Sequence, residues 1–262
     1  MADGDYERGR VREIGAIAAE LKRLAAMRRD GSAARPPVFV LNGWAASPRA
    51  WDLCRFPRQR VFSYVEQLDG EPEKAMESAD RCVLVGWSMG GSSALRLFAR
   101  WPEKVSGLVL VAATPRMMED RETGWRGMSP RRLEALRYGL AMTRGEGFFG
   151  VPDGKPNPYF ADEPESLERG LRYLLETDLR QELDALRSAP GVSVHVFQSE
   201  HDGIVRASNA EYLHGVFPKA SVTMVPGAEH ALPIFIPEKI DEAVDTCIRL
   251  ATAGQDTARS GN

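Results

Sequence analysis

Short apolar runs and stretches of helical periodicity alternate along the chain. Pro37-Val38-Phe39-Val40-Leu41, Cys82-Val83-Leu84-Val85 and Leu108-Val109-Leu110-Val111-Ala112 are apolar and rich in β-branched side chains, the pattern of strands buried on both faces of a parallel sheet. Val192-Ser193-Val194-His195-Val196-Phe197 alternates, and Ser221-Val222-Thr223-Met224-Val225 follows it as a further strand. Ser93 to Arg100, Pro130 to Met142 and Leu167 to Leu175 carry the helical pattern. Strands and helices in this order predict an α/β fold, with a mostly parallel central sheet flanked by helices.

Three segments lie outside the minimal pattern. Residues 1–35 precede the first strand, and Val11, Ile14, Ile17, Leu21 and Leu24 recur there every three or four residues, predicting an amphipathic helical extension. Its expected role is packing on the body of the protein; docking to a partner or a membrane surface is the alternative. The main domain spans 36–250, and the small and polar residues of 251–262 read as a disordered tail. Between the strand ending near Ala113 and the one beginning near Val192 lies a long insertion, about residues 115–186, with two helical stretches.

Chemistry is concentrated in Gly86-Trp87-Ser88-Met89-Gly90-Gly91. G-x-S-x-G between a strand and a helix presents an exposed serine hydroxyl on a strained turn, and the flanking glycines remove the Cβ atoms that would clash there. Ser88 is therefore the candidate nucleophile, against the plainer reading of a Gly-Ser turn. In this architecture the acid and then the histidine follow the serine in the chain. Of four histidines, His195 sits in the alternating strand, His214 reads as an ordinary helix position, and His201 shares a turn with Asp202. His230 remains, in the loop Pro226-Gly227-Ala228-Glu229-His230-Ala231 after a strand. Asp202, in Ser199-Glu200-His201-Asp202-Gly203 beyond another strand, is the acid candidate, with Glu200 and Glu229 as nearby substitutes. Such strand ends are where active sites of open α/β sheets collect. An oxyanion needs two donors: the N–H of Met89, directly after the nucleophile, and the N–H of Trp44 in the loop Asn42-Gly43-Trp44-Ala45 after the first strand.

Composition narrows the class further. The chain has 262 residues, 43% hydrophobic and 27% charged, with a net charge of −3, enough for a single α/β core and a poor balance for a nucleic-acid binder. Three scattered cysteines show no metal-ligand spacing and read as reduced thiols of a cytoplasmic protein. Neither an apolar membrane-spanning stretch nor an apolar leader is visible, and no cofactor or metal is called for.

Asn42-Gly43-Trp44, Gly86-Trp87-Ser88-Met89-Gly90-Gly91, Trp101-Pro102-Glu103-Lys104-Val105, Asp202-Gly203-Ile204-Val205 and His230-Ala231 together resemble the α/β-hydrolase superfamily over about residues 36–250. Within it the chain is most similar to the pimeloyl-[acyl-carrier protein] methyl ester esterases of biotin synthesis. That likeness rests on Gly43-Trp44, Gly86-Trp87-Ser88, Trp125-Arg126-Gly127-Met128-Ser129-Pro130 opening the insertion, and Thr177-Asp178-Leu179-Arg180-Gln181 closing it. Two departures stand out: Asn42 where members commonly carry histidine, and a short segment between Trp51 and Asp80. The resemblance implies a serine carboxylesterase acting on a carrier-bound or small-molecule ester, with the insertion as a lid.

The insertion is electrically divided. Residues 116–144 hold seven arginines against four acids, a balance of +3, and residues 145–185 hold four bases against ten acids, a balance of −6. With an acyl-carrier protein as possible partner, Arg131, Arg132 and Arg137 on one predicted helix are the carrier-contact candidates; a solvated helical face with i,i+4 pairs is the competing account. Phe148 and Phe149 are the candidate acyl contacts, with ordinary lid packing as the alternative. Two further functions stay open: a broad short-chain carboxylesterase or thioesterase, and a non-catalytic hydrolase-fold interaction protein.

Overall fold

The computed structural model describes residues 35–58, 60–143, 157–160, 164–186 and 192–259. Six strands form one sheet: β1 (Val38–Leu41), β2 (Arg60–Phe62), β3 (Cys82–Trp87), β4 (Val105–Val111), β5 (Ser193–Ser199) and β6 (Ser221–Val225), in the order β2-β1-β3-β4-β5-β6. Every described pairing is parallel, with Phe39 opposite Leu84, Val85 opposite Val109, Val109 opposite His195 and Phe197 opposite Thr223.

The helices follow as α1 (Tyr64–Leu68), α2 (Glu71–Ser78), α3 (Met89–Arg100), α4 (Pro130–Thr143), α5 (Pro164–Glu176), α6 (Arg180–Ala185), α7 (Ser208–Val216), α8 (Leu232–Phe235) and α9 (Pro237–Arg259). The short stretch between Trp51 and Asp80 holds β2, α1 and α2, and Ser63 opens α1 with a reciprocal capping box to Glu66.

Period-2 alternation sorts the strand residues onto two faces. Val38, Val40, Val83, Val85, Val109 and Val111 pack with Trp51, Ile240, Val244 and Ile248 on one side. Phe39, Leu41, Leu84, Leu108 and Leu110 pack with Leu95, Phe98 and Leu213 on the other. A third cluster gathers Trp44 from the first loop, Met89 from the start of α3, and Met117, Met128, Leu133, Leu140, Leu167 and Leu171 from the insertion.

Cys54, Cys82 and Cys247 are free and buried. Burial pushes the Cys54 and Cys82 thiols to about 12 and that of Cys247 to about 11, which makes them packing groups rather than nucleophiles. Among the described residues no helix is long and apolar enough to cross a membrane, and no cluster of His, Cys, Asp and Glu could hold a metal ion.

The chain divides into a compact unit over 36–251 and a second unit of residues 1–35 and 252–262. The expected amphipathic helix lies outside the described residues. Helix α9 carries the chain to Arg259, past residue 251 where the sequence predicts a tail.

Candidate active site

Ser88 stands at the junction of β3 and α3 with φ 55° and ψ −119°, a backbone conformation that L-residues adopt only when the surroundings hold it. Its N–H donates to the Val111 carbonyl at 2.9 Å, and its own carbonyl accepts from Gly91 N–H at 2.9 Å. A Cβ at Gly86 would lie 2.3 Å from the Gly90 carbonyl oxygen, and one at Gly90 would lie 2.0 Å from that of Leu41. The tight turn thus needs glycine at both positions.

The loops after β5 and β6 bring two more side chains to Ser88. His230 Nε2 lies 2.8 Å from Ser88 Oγ, and His230 Nδ1 lies 2.8 Å from Asp202 Oδ2. A carboxylate can only accept, so Nδ1 carries the imidazole proton and Nε2 is left to accept from the serine hydroxyl. The other carboxylate oxygen, Oδ1, accepts from the N–H groups of Ile204 and Val205 at 2.8 and 2.9 Å. Asp202 has a fully buried side chain. Burial alone would raise its pKa, but the adjoining His230 ring and the two backbone donors outweigh it and hold the carboxyl below its usual range. Trp87 donates through Nε1 to the His230 carbonyl at 2.9 Å and lies with its ring 5.8 Å from the imidazole.

Asn42, completely buried, ties down the loop after β1. Its Nδ2 donates to the Ala46 carbonyl at 2.7 Å, its Oδ1 accepts from Trp51 Nε1 at 3.1 Å, and its carbonyl accepts from Gln67 Nε2 at 2.9 Å. Within the loop Ala45 takes a positive φ of 61°, and a Cβ at Gly43 would press on the Trp87 indole at 3.1 Å. Trp44 is buried, and its Nε1 donates to the Leu167 carbonyl of α5 at 3.2 Å. Its ring fills the space where Gly170 has no side chain. Met89 opens α3, where free N–H groups and the positive end of the helix dipole favour an anion.

A narrow cleft opens at Ser88 and His230. Gly43, Trp44 and Trp87 line it beside Ser88 and His230, and Met117, Leu133, Leu136, Leu140, Leu174 and Ile204 add aliphatic surface. Phe148 and Phe149, the acyl contacts expected from the sequence, lie outside the described residues. The leucines were overlooked at that level, although Leu133, Leu136 and Leu140 recur at helical spacing along α4 and mark one apolar face.

All three candidate carrier contacts lie on α4, each with different surroundings. Arg137 pairs with Glu134 at 2.5 Å and reaches Glu168 at 3.7 Å, and Arg132 donates to the Gly203 carbonyl at 2.8 Å. Arg131 is exposed. The two motifs at the ends of the insertion meet at its base. Arg180 pairs with Asp120 and Asp178, each at 2.8 Å, and stacks over Trp125, while Arg116 pairs with Asp178. Trp125 in turn meets Tyr212 edge to face at 5.2 Å.

A profile of the alpha/beta hydrolase family matches residues 55–243. The pimeloyl-[acyl-carrier protein] methyl ester esterase of Nitrosomonas europaea is 28% identical over 80% of this chain and 94% of its own length. That of Nitrosospira multiformis is 30% identical over 78% of this chain and 91% of its own length. Among solved structures, an esterase from Exiguobacterium antarcticum has a TM-score of 0.63 at 18% identity, covering 82% of this chain and 92% of that one. A bromoperoxidase from Bacillus anthracis scores 0.61 at 17% identity over the same shares; both share the fold. With its parallel sheet, its serine on a strained strand-to-helix turn and a family profile over most of its length, the chain belongs to the alpha/beta hydrolase family, as a carboxylic ester hydrolase.

Proposed function

We propose that this chain is a serine carboxylesterase that cleaves the methyl ester of a pimeloyl group carried on acyl-carrier protein. The observation that carries this reading is the Ser88 hydroxyl, 2.8 Å from His230 Nε2 and opening onto a cleft walled by aliphatic side chains. Two relatives named for that reaction, similar over nine-tenths of their length, support this choice of substrate.

In this reading His230 Nε2 takes the Ser88 proton as Oγ attacks the ester carbonyl, and Asp202 stabilises the imidazolium through Nδ1–H. The N–H groups of Met89 and Trp44 receive the oxyanion. Collapse of the tetrahedral intermediate breaks the bond to the methoxy oxygen, which takes the proton from His230 and leaves as methanol. Water then adds to the acyl-Ser88 ester, giving its proton to His230, and the acid is released as Ser88 is reprotonated. Helices α4 and α5 act as the lid, and their leucines shelter the methylene chain from water. Arg131, exposed in the first turn of α4, is the leading carrier contact, because Arg132 and Arg137 already hold partners within the fold.

The largely apolar lining also suits a broader carboxylesterase that accepts many acyl chains. The two readings separate in one experiment: hydrolysis of pimeloyl-carrier methyl ester and of p-nitrophenyl butyrate by the wild type, Ser88→Ala and Arg131→Glu. Carrier esterase function requires Ser88-dependent demethylation, weakened several-fold by Arg131→Glu while the small ester is unaffected. Turnover of the small ester alone leaves the broader reading. Retention of either activity in Ser88→Ala rejects both.

A further inference from the structure

Strand β5 ends in two buried polar side chains that the hydrolytic steps above do not use. Gln198 is 1% and Ser199 0% exposed, in a strand whose other inward positions, Val194, Val196 and Phe197, are apolar. A polar group this deep is disfavoured unless it is hydrogen-bonded, and apart from one contact within β5 the side-chain bonds of this pair run to the loops that carry Asp202 and His230. Gln198 Nε2 donates to the Val205 carbonyl at 2.9 Å, with the Ser199 carbonyl and Asp202 Oδ2 each at 3.3 Å. Ser199 Oγ donates to the Ala228 carbonyl, two residues before His230, and accepts from His201 N–H at 3.1 Å, one residue before Asp202.

We infer that Gln198 and Ser199 are positioning residues that set the register of Asp202 against His230. Ser199 spans both loops through one hydroxyl, so the acid turn and the histidine loop cannot slide independently. Gln198 grips the acid turn at its far side, at Val205, and supplies a donor to the same oxygen, Oδ2, that faces His230 Nδ1. Together with the Ile204 and Val205 donors on Oδ1, this gives both carboxylate oxygens a neighbour besides the imidazole and opposes rotation of the carboxyl group. Alignment within a few tenths of an ångström governs how well the acid stabilises a developing imidazolium. The effect belongs to turnover and not to ground-state substrate binding.

This inference rests on the esterase reading for its kinetic consequence, whereas its geometric content can be read without substrate. The variants are Ser199→Ala, Ser199→Thr and Gln198→Met, each also made in an Asp202→Asn background. Ser199→Ala should lower kcat about tenfold and Gln198→Met about three- to tenfold, as expected for hydrogen bonds to or beside a charged group, with KM within about twofold. Ser199→Thr, which restores the hydroxyl, should recover most of the loss. In Asp202→Asn the same substitutions should change kcat less than about twofold, because groups acting through one partner are non-additive.

In the free enzyme the downfield proton resonance of the His230 Nδ1 bond should move upfield in Ser199→Ala and return in Ser199→Thr. An unmoved resonance with wild-type kcat in Ser199→Ala and Gln198→Met overturns the inference. So do losses of equal size with and without the Asp202 carboxylate. If Ser199→Ala does not fold, Gln198→Met still decides, through its kcat and the His230 resonance. Absence of Ser88-dependent turnover in the wild type would reject the esterase reading alone and leave the resonance to judge the positioning.

Discussion

Asn42 offers the sharpest quantitative test of how the loop after β1 is held. In Asn42→Ala the Trp51 Nε1–H loses its acceptor and the Ala46 carbonyl loses a donor, at sites that are 0 and 1% exposed. An orphaned buried polar group costs about 1–3 kcal/mol, and the space left by the amide adds a smaller cavity term. The sum, about 2–6 kcal/mol from the two groups before the cavity term, is a large part of the roughly 5–15 kcal/mol that stabilises a typical domain. In a protein of this size it should lower the unfolding midpoint by roughly 5–15 °C.

The kinetic consequence is separate. Released from Asn42, the positive-φ turn at Ala45 can relax and carry the Trp44 N–H away from the oxyanion position proposed for it, with an expected loss of about 10- to 100-fold in kcat and KM within about twofold. The comparison variant Trp51→Phe removes one bond to Asn42 but keeps the Ala46 tie, so its kcat should fall less than about threefold. Thermal unfolding and steady-state hydrolysis of p-nitrophenyl butyrate, run well below each midpoint, measure both effects. A folded Asn42→Ala with wild-type kcat would refute the reasoning, since the loop would then keep its shape without the side chain that binds it.

Other consequences follow from the cleft and the base of the insertion. Leu136→Trp, which fills the cleft from α4, should raise KM for medium-chain esters about tenfold or more and spare acetyl esters; a chain-length series of p-nitrophenyl esters reads this directly. Asp178, hydrogen-bonded by Arg180 and Arg116, is held at about 2, below the usual carboxylate value of about 4. Its folded pKa lies below its unfolded one, so its stabilising contribution is complete above about pH 4 and is lost as pH falls towards 2. Midpoints measured from acid to neutral pH should therefore fall less steeply on acidification in Asp178→Asn than in the wild type, and parallel curves would show that the ion cluster contributes nothing.

Much of the architecture was legible locally. Strands buried on both faces advertise themselves by composition, and the predicted ends of the strand at Ser221–Val225 coincide with β6. The helix expected over Pro130 to Met142 runs from Pro130 to Thr143. The turn at Ser88 was equally readable, because the need for glycine at 86 and 90 arises from atoms a few residues away and from the adjoining strand. The small and polar residues from Ala251 onward were less informative: they read as a tail, yet α9 continues to Arg259.

Local sequence dictates which residue types stand at the ends of which strands: Asn42 to Trp44 after β1, Ser88 after β3, Asp202 after β5 and His230 after β6. Parallel pairing delivers all of these to one edge of the sheet, since every strand ends on the same side. Distances belong to the tertiary structure alone, because Ser88 and His230 are 142 positions apart and meet only through the common register of the sheet. The same holds for the cleft. Its wall combines Met117, three leucines of α4, Leu174 of α5 and Ile204, and no single segment carries a signal for a surface assembled from several. Gln198 and Ser199 show the limit most clearly: along the chain they are the polar end of a strand, and only the fold sends their hydrogen bonds to the loops of Asp202 and His230.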